Sequence, residues 1–271
     1  MKTFKVTQYI GLKDFTDSVY PQGAFCLAAL LRAKDVKVNG IRVSSDVKLK
    51  SGDTVVYYTN AVQESKISHT VAYEDKNIYI ADKPSGVSYE GLLYELNGSG
   101  EFYGVHRLDR NTEGLIVFAK NKPAESALLK AFKNRALEKT YIALCKNNFP
   151  NSKDLLTAYI LKDGSGKVKV YPSPHAGALT AVTEYEVMEE RGDTALVKIV
   201  LHTGRTHQIR AHMAFIGCPV LGDEKYGDRA YNAKYSAKRQ RLIAKYLKFN
   251  VGGILKDVEG VTFESKFTFL R

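Results

Sequence analysis

The chain has no tryptophan, only three cysteines and no long apolar run. Cys26, Cys145 and Cys218 are widely spaced, so the sequence predicts neither a disulfide framework nor a C-x-x-C metal site, as suits a reducing compartment. The longest apolar run, Ala24–Leu31, is far shorter than the roughly 18 residues that a membrane-spanning helix needs. Met1–Gly11 lacks the apolar core of a signal peptide. We therefore expect a cytoplasmic protein that does not enter a membrane.

Basic residues, in contrast, are in clear excess. Forty Lys and Arg residues against 29 Asp and Glu give a net charge of +11 over 271 residues. Hydrophobic residues make up 44% of the chain, which suffices for a sizeable core in one or two domains. Since an excess of positive charge favours a polyanionic partner and no membrane segment is predicted, we expect the partner to be RNA or DNA.

The densest basic segment is Arg229–Lys256, which contains no acidic residue and has Tyr231, Tyr235 and Tyr246 interleaved with its cations. Cations can contact phosphates and aromatic rings can stack on bases, so this segment is a candidate RNA surface. The alternative is a solvated basic helix whose aromatic residues pack inward.

The sequence divides into a small unit and a larger one. Ala24–Ala33 is typical of a helix, Asn39-Gly40 is a strong signal for a two-residue hairpin turn, and Thr54–Tyr58 is typical of a strand. We therefore predict three segments: a compact α+β module at 1–60, a polar linker at 61–69 and the main domain at 70–271.

The main domain mixes strands and helices without regular alternation. Pro123 is expected to begin a helix with one apolar face formed by Leu128, Leu129, Phe132 and Leu137. The turn Arg191–Asp193 favours antiparallel pairing of the strands on either side. The predicted strands are Asn77–Ala81, Leu115–Ala119, Lys139–Cys145, Thr183–Val187 and Ala195–Leu201. This pattern indicates an α+β domain with a largely antiparallel sheet.

One candidate for chemistry is Asp109, which lies in a polar turn before a buried strand and is flanked by Arg107 and Arg110. Neighbouring positive charge favours an ionised carboxylate, which suits a nucleophile or a group that stabilises developing positive charge. The alternative is a turn aspartate that accepts hydrogen bonds from its own backbone.

A second candidate segment places Arg205, His207, Arg210 and His212 within eight positions, with Asp223 following. The histidines are five residues apart, which is not the i, i+4 spacing of a helical zinc pair, so no metal site is predicted.

Two further side chains have open interpretations. On a helix over Ile209–Ile216, Arg210 would project away from the apolar face and could pair with a carboxylate or a phosphate, or form a structural ion pair. Tyr141, on a strand, could be core packing or a ring that lies against a base.

Four segments, in order, carry a family resemblance: ADKPSGV (Ala81–Val87), HRLDRNTEGLIVFAK (His106–Lys120), EKTYIAL (Glu138–Leu144) and GRTHQIRAHMAFIGCPVLGDEKYG (Gly204–Gly227). Together they resemble the RluA family of RNA pseudouridine synthases. The unit at 1–60, with KVNGIRV and LKSGDTVVYY, resembles the αL RNA-binding module first seen in a small-subunit ribosomal protein, although its opening FKVTQYIGLKDF is atypical. Near the C-terminus, RQRLIAKYLKF resembles the family's RQALHA segment, with Arg241 and Ile243 in place of Ala and His.

The resemblance implies a pseudouridine synthase fold, with a central, mostly antiparallel mixed sheet, that isomerises uridine in ribosomal or transfer RNA without a cofactor or metal. It also implies roles for four residues. Asp109 would be the catalytic aspartate and Arg210 its partner. Tyr141 would stack on the target base, and Arg107 would fill the gap left by the flipped nucleotide. The full set of expected RNA contacts is His106, Arg107, Arg110, Arg205, His207, Arg239 and Arg241.

No obligate protein partner is expected, and two rival functions remain. One is a non-catalytic RNA-binding or assembly factor on the same fold. The other is a metal-dependent nuclease that would use His207, His212 and Asp223.

Overall fold

The computed structural model describes residues 1–59, 69–163 and 167–269, which fall into two compact units. The first unit comprises Met1–His69 and Gly86–Phe102, and the second comprises Thr70–Ser85 and Tyr103–Arg271. The sequence had placed 86–102 in the main domain; it groups with the first unit because its helix packs against the two N-terminal helices. Except for His69, the predicted linker lies outside the described residues.

Short strands and three helices build the first unit. A four-stranded antiparallel sheet has the order β1-β6-β3-β4, and β2 pairs with β5. The elements are β1 (Lys2–Lys5), β2 (Ile10–Gly11), α1 (Leu12–Val19), α2 (Pro21–Arg32), β3 (Val36–Val38), β4 (Ile41–Val43), β5 (Lys48–Leu49), β6 (Thr54–Tyr57) and α3 (Tyr89–Asn97). The predicted hairpin is confirmed, because Asn39 and Gly40 both have the positive φ (50° and 83°) that its turn requires.

One large sheet organises the second unit. Nine strands follow the order β13-β12-β14-β15-β11-β16-β10-β8-β7, while β9 pairs with β10 and β17 pairs with β16. The elements are β7 (Thr70–Glu74), β8 (Ile78–Lys83), β9 (Tyr103–Gly104), β10 (Glu113–Ala119), α4 (Lys122–Lys133), β11 (Leu137–Lys146), β12 (Lys153–Lys162), β13 (Val168–Tyr171), β14 (Leu179–Arg191), β15 (Thr194–Leu201), α5 (Gln208–Phe215), α6 (Arg229–Lys234), β16 (Leu242–Phe249), a 3-10 helix (Gly253–Val258) and β17 (Thr262–Glu264).

The predicted mixed, mostly antiparallel sheet is confirmed. Strands β10 and β16 pair in parallel, and the other strand pairs of this sheet are antiparallel. Among the pairs is β14 with β15, as the turn Arg191–Asp193 predicted. None of the helices in the described ranges is long and apolar enough to cross a membrane.

Helix α4 shows where the sequence prediction was partly wrong. The helix begins as predicted next to Pro123, and the Asn121 side chain caps it by accepting from the Ala124 N–H at 2.9 Å. Leu128 is fully buried, but Leu129 is 47% exposed and Leu137 already belongs to β11. The buried face of the helix is formed by Ala124, Leu128 and Ala131, and Leu129, about 100° around the helix from Leu128, lies outside it.

The basic segment Arg229–Lys256 is not the single exposed surface that its composition suggested. It forms α6 and then β16, which lies between β11 and β10 inside the sheet. Tyr231 and Phe249 are buried, and Lys234 pairs with Asp193 at 2.5 Å. Because Tyr235 is 39% exposed, only part of the segment packs inward, and RNA contact by its exposed residues stays a prediction.

Candidate functional site

Asp109 lies in a turn that leads into β10. Its carbonyl accepts from the Thr112 N–H at 3.1 Å, and Gln240 Nε2, from the residues before β16, donates to Thr112 Oγ1 at 2.9 Å. The Asp109 side chain is 20% exposed and makes no hydrogen bond to its own turn. Its Oδ2 accepts instead from Arg210 Nη1 at 2.8 Å. The turn therefore presents the carboxylate to α5.

Arg210 joins two carboxylates through one guanidinium. Its Nε and Nη2 donate to Asp223 Oδ2 and Oδ1 at 2.6 and 3.0 Å, while Nη1 donates to Asp109. Burial alone would lower the pKa of Arg210, but Asp223 and Asp109 raise it above its usual range. A planar, permanently charged fork held in this bidentate way has little freedom to turn, so it fixes the position of the Asp109 carboxylate.

Asp223 anchors that fork. Its side chain is 1% exposed, and besides Arg210 it accepts from the backbone N–H groups of Lys225 and Tyr226. Burial would raise the pKa of Asp223, but these hydrogen bonds hold it below its usual range. Asp223 is therefore an ionised, fully engaged group that orients Arg210.

His207 approaches Asp109 from the other side, in a left-handed conformation (φ 54°) just before α5. Its Nδ1 lies 2.8 Å from the Tyr226 hydroxyl, which already accepts from the Val168 N–H at 2.9 Å. The other ring nitrogen of His207, Nε2, lies 4.0 Å from Asp109 Oδ1. Burial lowers the pKa of His207 to about 4, so the ring is neutral at neutral pH.

A cavity of about 350 Å³ opens at these groups. That volume is within the range of small-molecule sites in proteins. Seven residues singled out from the sequence line it: His106, Arg107, Asp109, Tyr141, Arg205, His207 and Arg210. The side chain of Tyr141 comes from β11 and is 6% exposed, and burial, with a smaller contribution from Asp109, raises the pKa of its phenol above the usual range. The cavity therefore combines a carboxylate, a neutral phenol and a neutral imidazole.

Three expected RNA contacts do not line this cavity. The Arg110 carbonyl accepts from Lys83 Nζ at 3.0 Å. Arg239 and Arg241 are exposed. Burial raises the pKa of Glu113, and the charges of these two arginines partly offset that rise. The Arg241 guanidinium lies 6.0 Å from the centre of the Phe269 ring. RNA contact by these three arginines stays a prediction.

His106 has a structural partner although it borders the cavity. Its Nε2 accepts from the Val117 N–H at 3.0 Å, which ties the segment before Asp109 to β10, and its ring packs against Phe132. Burial, with a smaller contribution from Lys139, lowers the pKa of His106 to about 3. A neutral, hydrogen-bond-accepting ring thus positions the approach to Asp109.

The three residues of the nuclease alternative point to different partners. His207 faces Tyr226, His212 Nδ1 lies 2.8 Å from Thr183 Oγ1, and Asp223 is paired with Arg210. Across the described ranges, no group of three or more His, Cys, Asp or Glu side chains is arranged to hold a metal ion.

Two side chains at the site escaped the sequence interpretation: Lys139 in the cavity wall, and Tyr226, which contacts His207. Lys139 lines the cavity from β11, two residues before Tyr141, and strand alternation places both on one face, so this position could have been singled out. Tyr226 could not, because its role depends on Val168, 58 residues away in the chain.

The known proteins that resemble this chain are RNA pseudouridine synthases. The family model described as RNA pseudouridylate synthase matches residues 77–215. Ribosomal large subunit pseudouridine synthase C of Vibrio cholerae serotype O1 is 30% identical over 256 residues, covering 81% of this chain and 78% of that protein. The uncharacterized RNA pseudouridine synthase YhcT of Bacillus subtilis (strain 168) is 33% identical over 219 residues, covering 72% of this chain and 71% of its own length.

Solved structures show the same fold. Human RNA pseudouridylate synthase domain containing 4 superposes with a TM-score of 0.60 at 24% identity, covering 73% of this chain and 88% of that one. Human RNA pseudouridylate synthase domain containing 1 gives a TM-score of 0.59 at 24% identity, with 76% and 93% coverage.

Proposed function

Because the chain belongs to the RluA-type RNA pseudouridylate synthases and is therefore an isomerase, we propose that it converts uridine to pseudouridine in ribosomal RNA with Asp109 as the catalytic residue. The observation that carries this proposal is the state of the Asp109 carboxylate. Oδ2 is held by the Arg210–Asp223 bridge, whereas Oδ1 accepts no hydrogen bond from the described residues, and Asp109 lines the cavity.

The reaction needs a single uridine to enter that cavity. In the isomerisation the C1′–N1 bond breaks, a C1′–C5 bond forms, C5 loses a proton and N1 gains one, so the reaction balances without an oxidant or a reductant. A base stacked in RNA does not expose its glycosidic bond, and flipping it out costs a few kcal/mol. The exposed Arg107 guanidinium offsets part of that cost by stacking in the gap and by contacting phosphate.

Asp109 acts where positive charge develops. Breaking the C1′–N1 bond makes the sugar electron-poor, and a carboxylate fixed beforehand stabilises that charge without having to reorient. Oδ1 either stabilises the charged sugar, attacks C1′ or removes a sugar proton. In each case Arg210 keeps the carboxylate ionised and aimed at the cavity.

Tyr141 holds the detached base. Its ring comes from β11 on the cavity side, and its phenol is protonated because burial raises its pKa above the usual range. Its hydroxyl makes no hydrogen bond to the described residues, so the neutral phenol can donate to an oxygen of the base. The ring, lying against the base, allows the detached base to turn only within its own plane.

Ribosomal RNA is the proposed substrate because the Vibrio cholerae relative, 78% of whose length is matched by this chain, is named for the large ribosomal subunit. Transfer RNA is the other substrate that the sequence suggests, and a cytoplasmic location stays a prediction. An αL module in the first unit would add RNA contacts outside the cavity. The non-catalytic alternative is disfavoured because a pure RNA-binding site has no use for a carboxylate fixed among cations.

The test is a map of pseudouridines in cellular ribosomal and transfer RNA. A strain that lacks the protein should lose one or a few pseudouridines, and these should return with the wild-type chain but not with Asp109→Asn. Asp257→Asn, an exposed aspartate remote in sequence from the cavity residues, is the matched control and should restore them. Restoration by Asp109→Asn would overturn the catalytic assignment, and loss confined to transfer RNA would overturn the substrate assignment.

A further inference from the structure

A second cavity adjoins the one at Asp109. Its volume is about 580 Å³, and the two cavities share a wall formed by Phe132, Lys139, Leu201, Gly204 and Arg205. Both cavities belong to the second compact unit. A polymer with one residue in the first cavity and a neighbouring residue in the second must cross this wall.

The second cavity is positively charged. Its lining carries five Lys and Arg side chains against two carboxylates, and one of those carboxylates, Glu184, lies 2.9 Å from His202 Nε2. A concave surface with one dominant sign of charge concentrates ligands of the opposite sign. The lining therefore suits a segment of a polyanion.

Lys139, in the shared wall, is a cation without a counter-ion. Among the described residues its ammonium forms no ion pair or hydrogen bond, and its side-chain partner is the ring of Phe132, whose centre lies 5.6 Å from Nζ. Burial lowers the pKa of this lysine. A largely buried charge without a partner costs stability, and such groups concentrate at ligand sites.

The wall next to the ammonium is formed in part by a glycine. Gly204 has no side chain, and a Cβ added there would lie 3.5 Å from Lys139 Nζ. Beside it, Arg205 is held by a hydrogen bond from Nε to the Thr180 carbonyl at 3.0 Å, and its terminal nitrogens have no partner among the described residues. Two positively charged groups thus border the same gap.

We propose that Lys139 and the second cavity bind a phosphate of the RNA backbone next to the uridine that occupies the Asp109 cavity. This inference rests on the proposed function, because it takes a flipped uridine to be in the first cavity. The uracil base is neutral and cannot balance the charge of Lys139, whereas each flanking nucleotide brings one negative charge to the wall. The phosphate would replace the solvation that Lys139 has lost and would set which way the chain leaves the cavity.

Four variants test this contact. Lys139→Met keeps the length of the side chain and its packing on Phe132 but removes the charge, and Lys139→Arg keeps the charge. Lys130→Met makes the same change in net charge at an exposed position of α4 that lines neither cavity. Gly204→Ala places a methyl group 3.5 Å from the ammonium without altering any charge.

The experiment measures the dissociation constant for a fluorescent twelve-nucleotide oligouridylate at several KCl concentrations, with every variant in an Asp109→Asn background to prevent turnover. Each phosphate contact with single-stranded nucleic acid contributes about 0.7 to the slope of log affinity against log salt. Lys139→Met should therefore lower that slope by about 0.7. Lys139→Arg and Lys130→Met should keep the parent slope, and Gly204→Ala should weaken binding.

The phosphate site would be overturned if Lys139→Met kept the salt slope of the Asp109→Asn parent and Gly204→Ala bound the oligouridylate as tightly as that parent. Unfolding in urea checks that each variant is folded, and if Lys139→Met is not, the Gly204→Ala result decides. The proposed function is tested separately by pseudouridine formation with the wild-type chain. If the wild-type chain forms no pseudouridine but Lys139→Met lowers the salt slope, the proposed function is wrong and the phosphate site stands. If the wild-type chain is active but Lys139→Met leaves the slope unchanged, the function stands and the phosphate site is wrong.

Discussion

At the scale of single residues, the site depends on how Arg210 divides three hydrogen bonds, one from each guanidinium nitrogen, between Asp223 and Asp109. Two of them satisfy a carboxylate that has no access to solvent, and the third positions a carboxylate at the cavity. The same guanidinium lies 5.2 Å from the centre of the Tyr226 ring, which restricts it further. Stability and activity are therefore coupled at Arg210.

Arg210→Met should lower the free energy of unfolding by about 3–5 kcal/mol, since it leaves the Asp223 carboxylate buried without its cation. Urea unfolding measures this cost. Arg107→Met is the control, because an exposed arginine removed from the same cavity should change stability by only about 0.5 kcal/mol. Equal unfolding midpoints for the two variants would show that Asp223 does not need Arg210.

The sequence identified Asp109, Tyr141 and Arg210 as candidates, and all three line one cavity. The resemblance also paired Arg210 with Asp109, as the structure has them, but the sequence did not identify the groups that hold Arg210 and His207 in place. The Arg210–Asp223 pair spans 13 residues and the Tyr226–Val168 bond spans 58, and nothing in local periodicity predicts either contact. Asp223 was considered only as a metal ligand because its neighbours in sequence include histidines, whereas in space its neighbour is an arginine.

At the scale of elements, the parallel pairing of β10 with β16 places the Asp109 turn beside the residues before β16. Gly114, at the start of β10, has φ 110° and faces the backbone of Ala244, and a Cβ added there would lie 2.3 Å from the Ala244 carbonyl oxygen. The hairpin and most strands could be predicted from turn residues and apolar runs. This parallel contact could not, because it joins segments about 130 residues apart.

Gly114→Ala should therefore destabilise the protein by more than backbone strain alone, which costs about 1–2 kcal/mol for a residue forced into the left-handed region. Gly192→Ala provides the matched comparison, because Gly192 also has a positive φ (67°) but has no heavy atom within 4 Å of an added Cβ. Urea unfolding should rank Gly114→Ala clearly below Gly192→Ala. Equal destabilisation would mean that the close approach of β10 to β16 is not rigid.

At the scale of the whole molecule, acid sensitivity follows from three histidines that are buried or partly buried. Burial lowers the pKa of His106 to about 3 and those of His207 and His212 to about 4. In the unfolded chain a histidine has a pKa of about 6.5. Between these values the unfolded chain binds more protons than the folded one, so stability must rise with pH across that window and fall as the pH drops from about 6.5 toward 4.

The urea midpoint should therefore be lower at pH 5 than at pH 7.5. Two buried carboxyls, Asp82 and Glu113, have raised pKa values and act in the opposite sense. The sharper measurement is consequently a comparison with His212→Gln, which removes one of the three histidines and should reduce the loss of stability between the two pH values. An unchanged loss would contradict the neutral, buried state of His212.

The net charge of +11 pointed from the start to a polyanionic partner, but the position of the cations matters more than their number. Part of the charge lies in β16 and α6, away from the cavity lining. Arg107, Lys139, Arg205 and Arg210 surround one carboxylate and two joined cavities, and this arrangement is what suits an RNA chain with one nucleotide flipped out.

Release of tritium from RNA labelled at C5 of uridine tests the central claim most directly, because that hydrogen leaves only when the base is rejoined through C5. The purified wild-type chain should release tritium from unmodified large-subunit ribosomal RNA, and Asp109→Asn should do so at least about 100-fold more slowly, since it loses a preorganised charge at the reacting sugar. Release by Asp109→Asn at the wild-type rate would contradict the assignment of Asp109 as the catalytic residue.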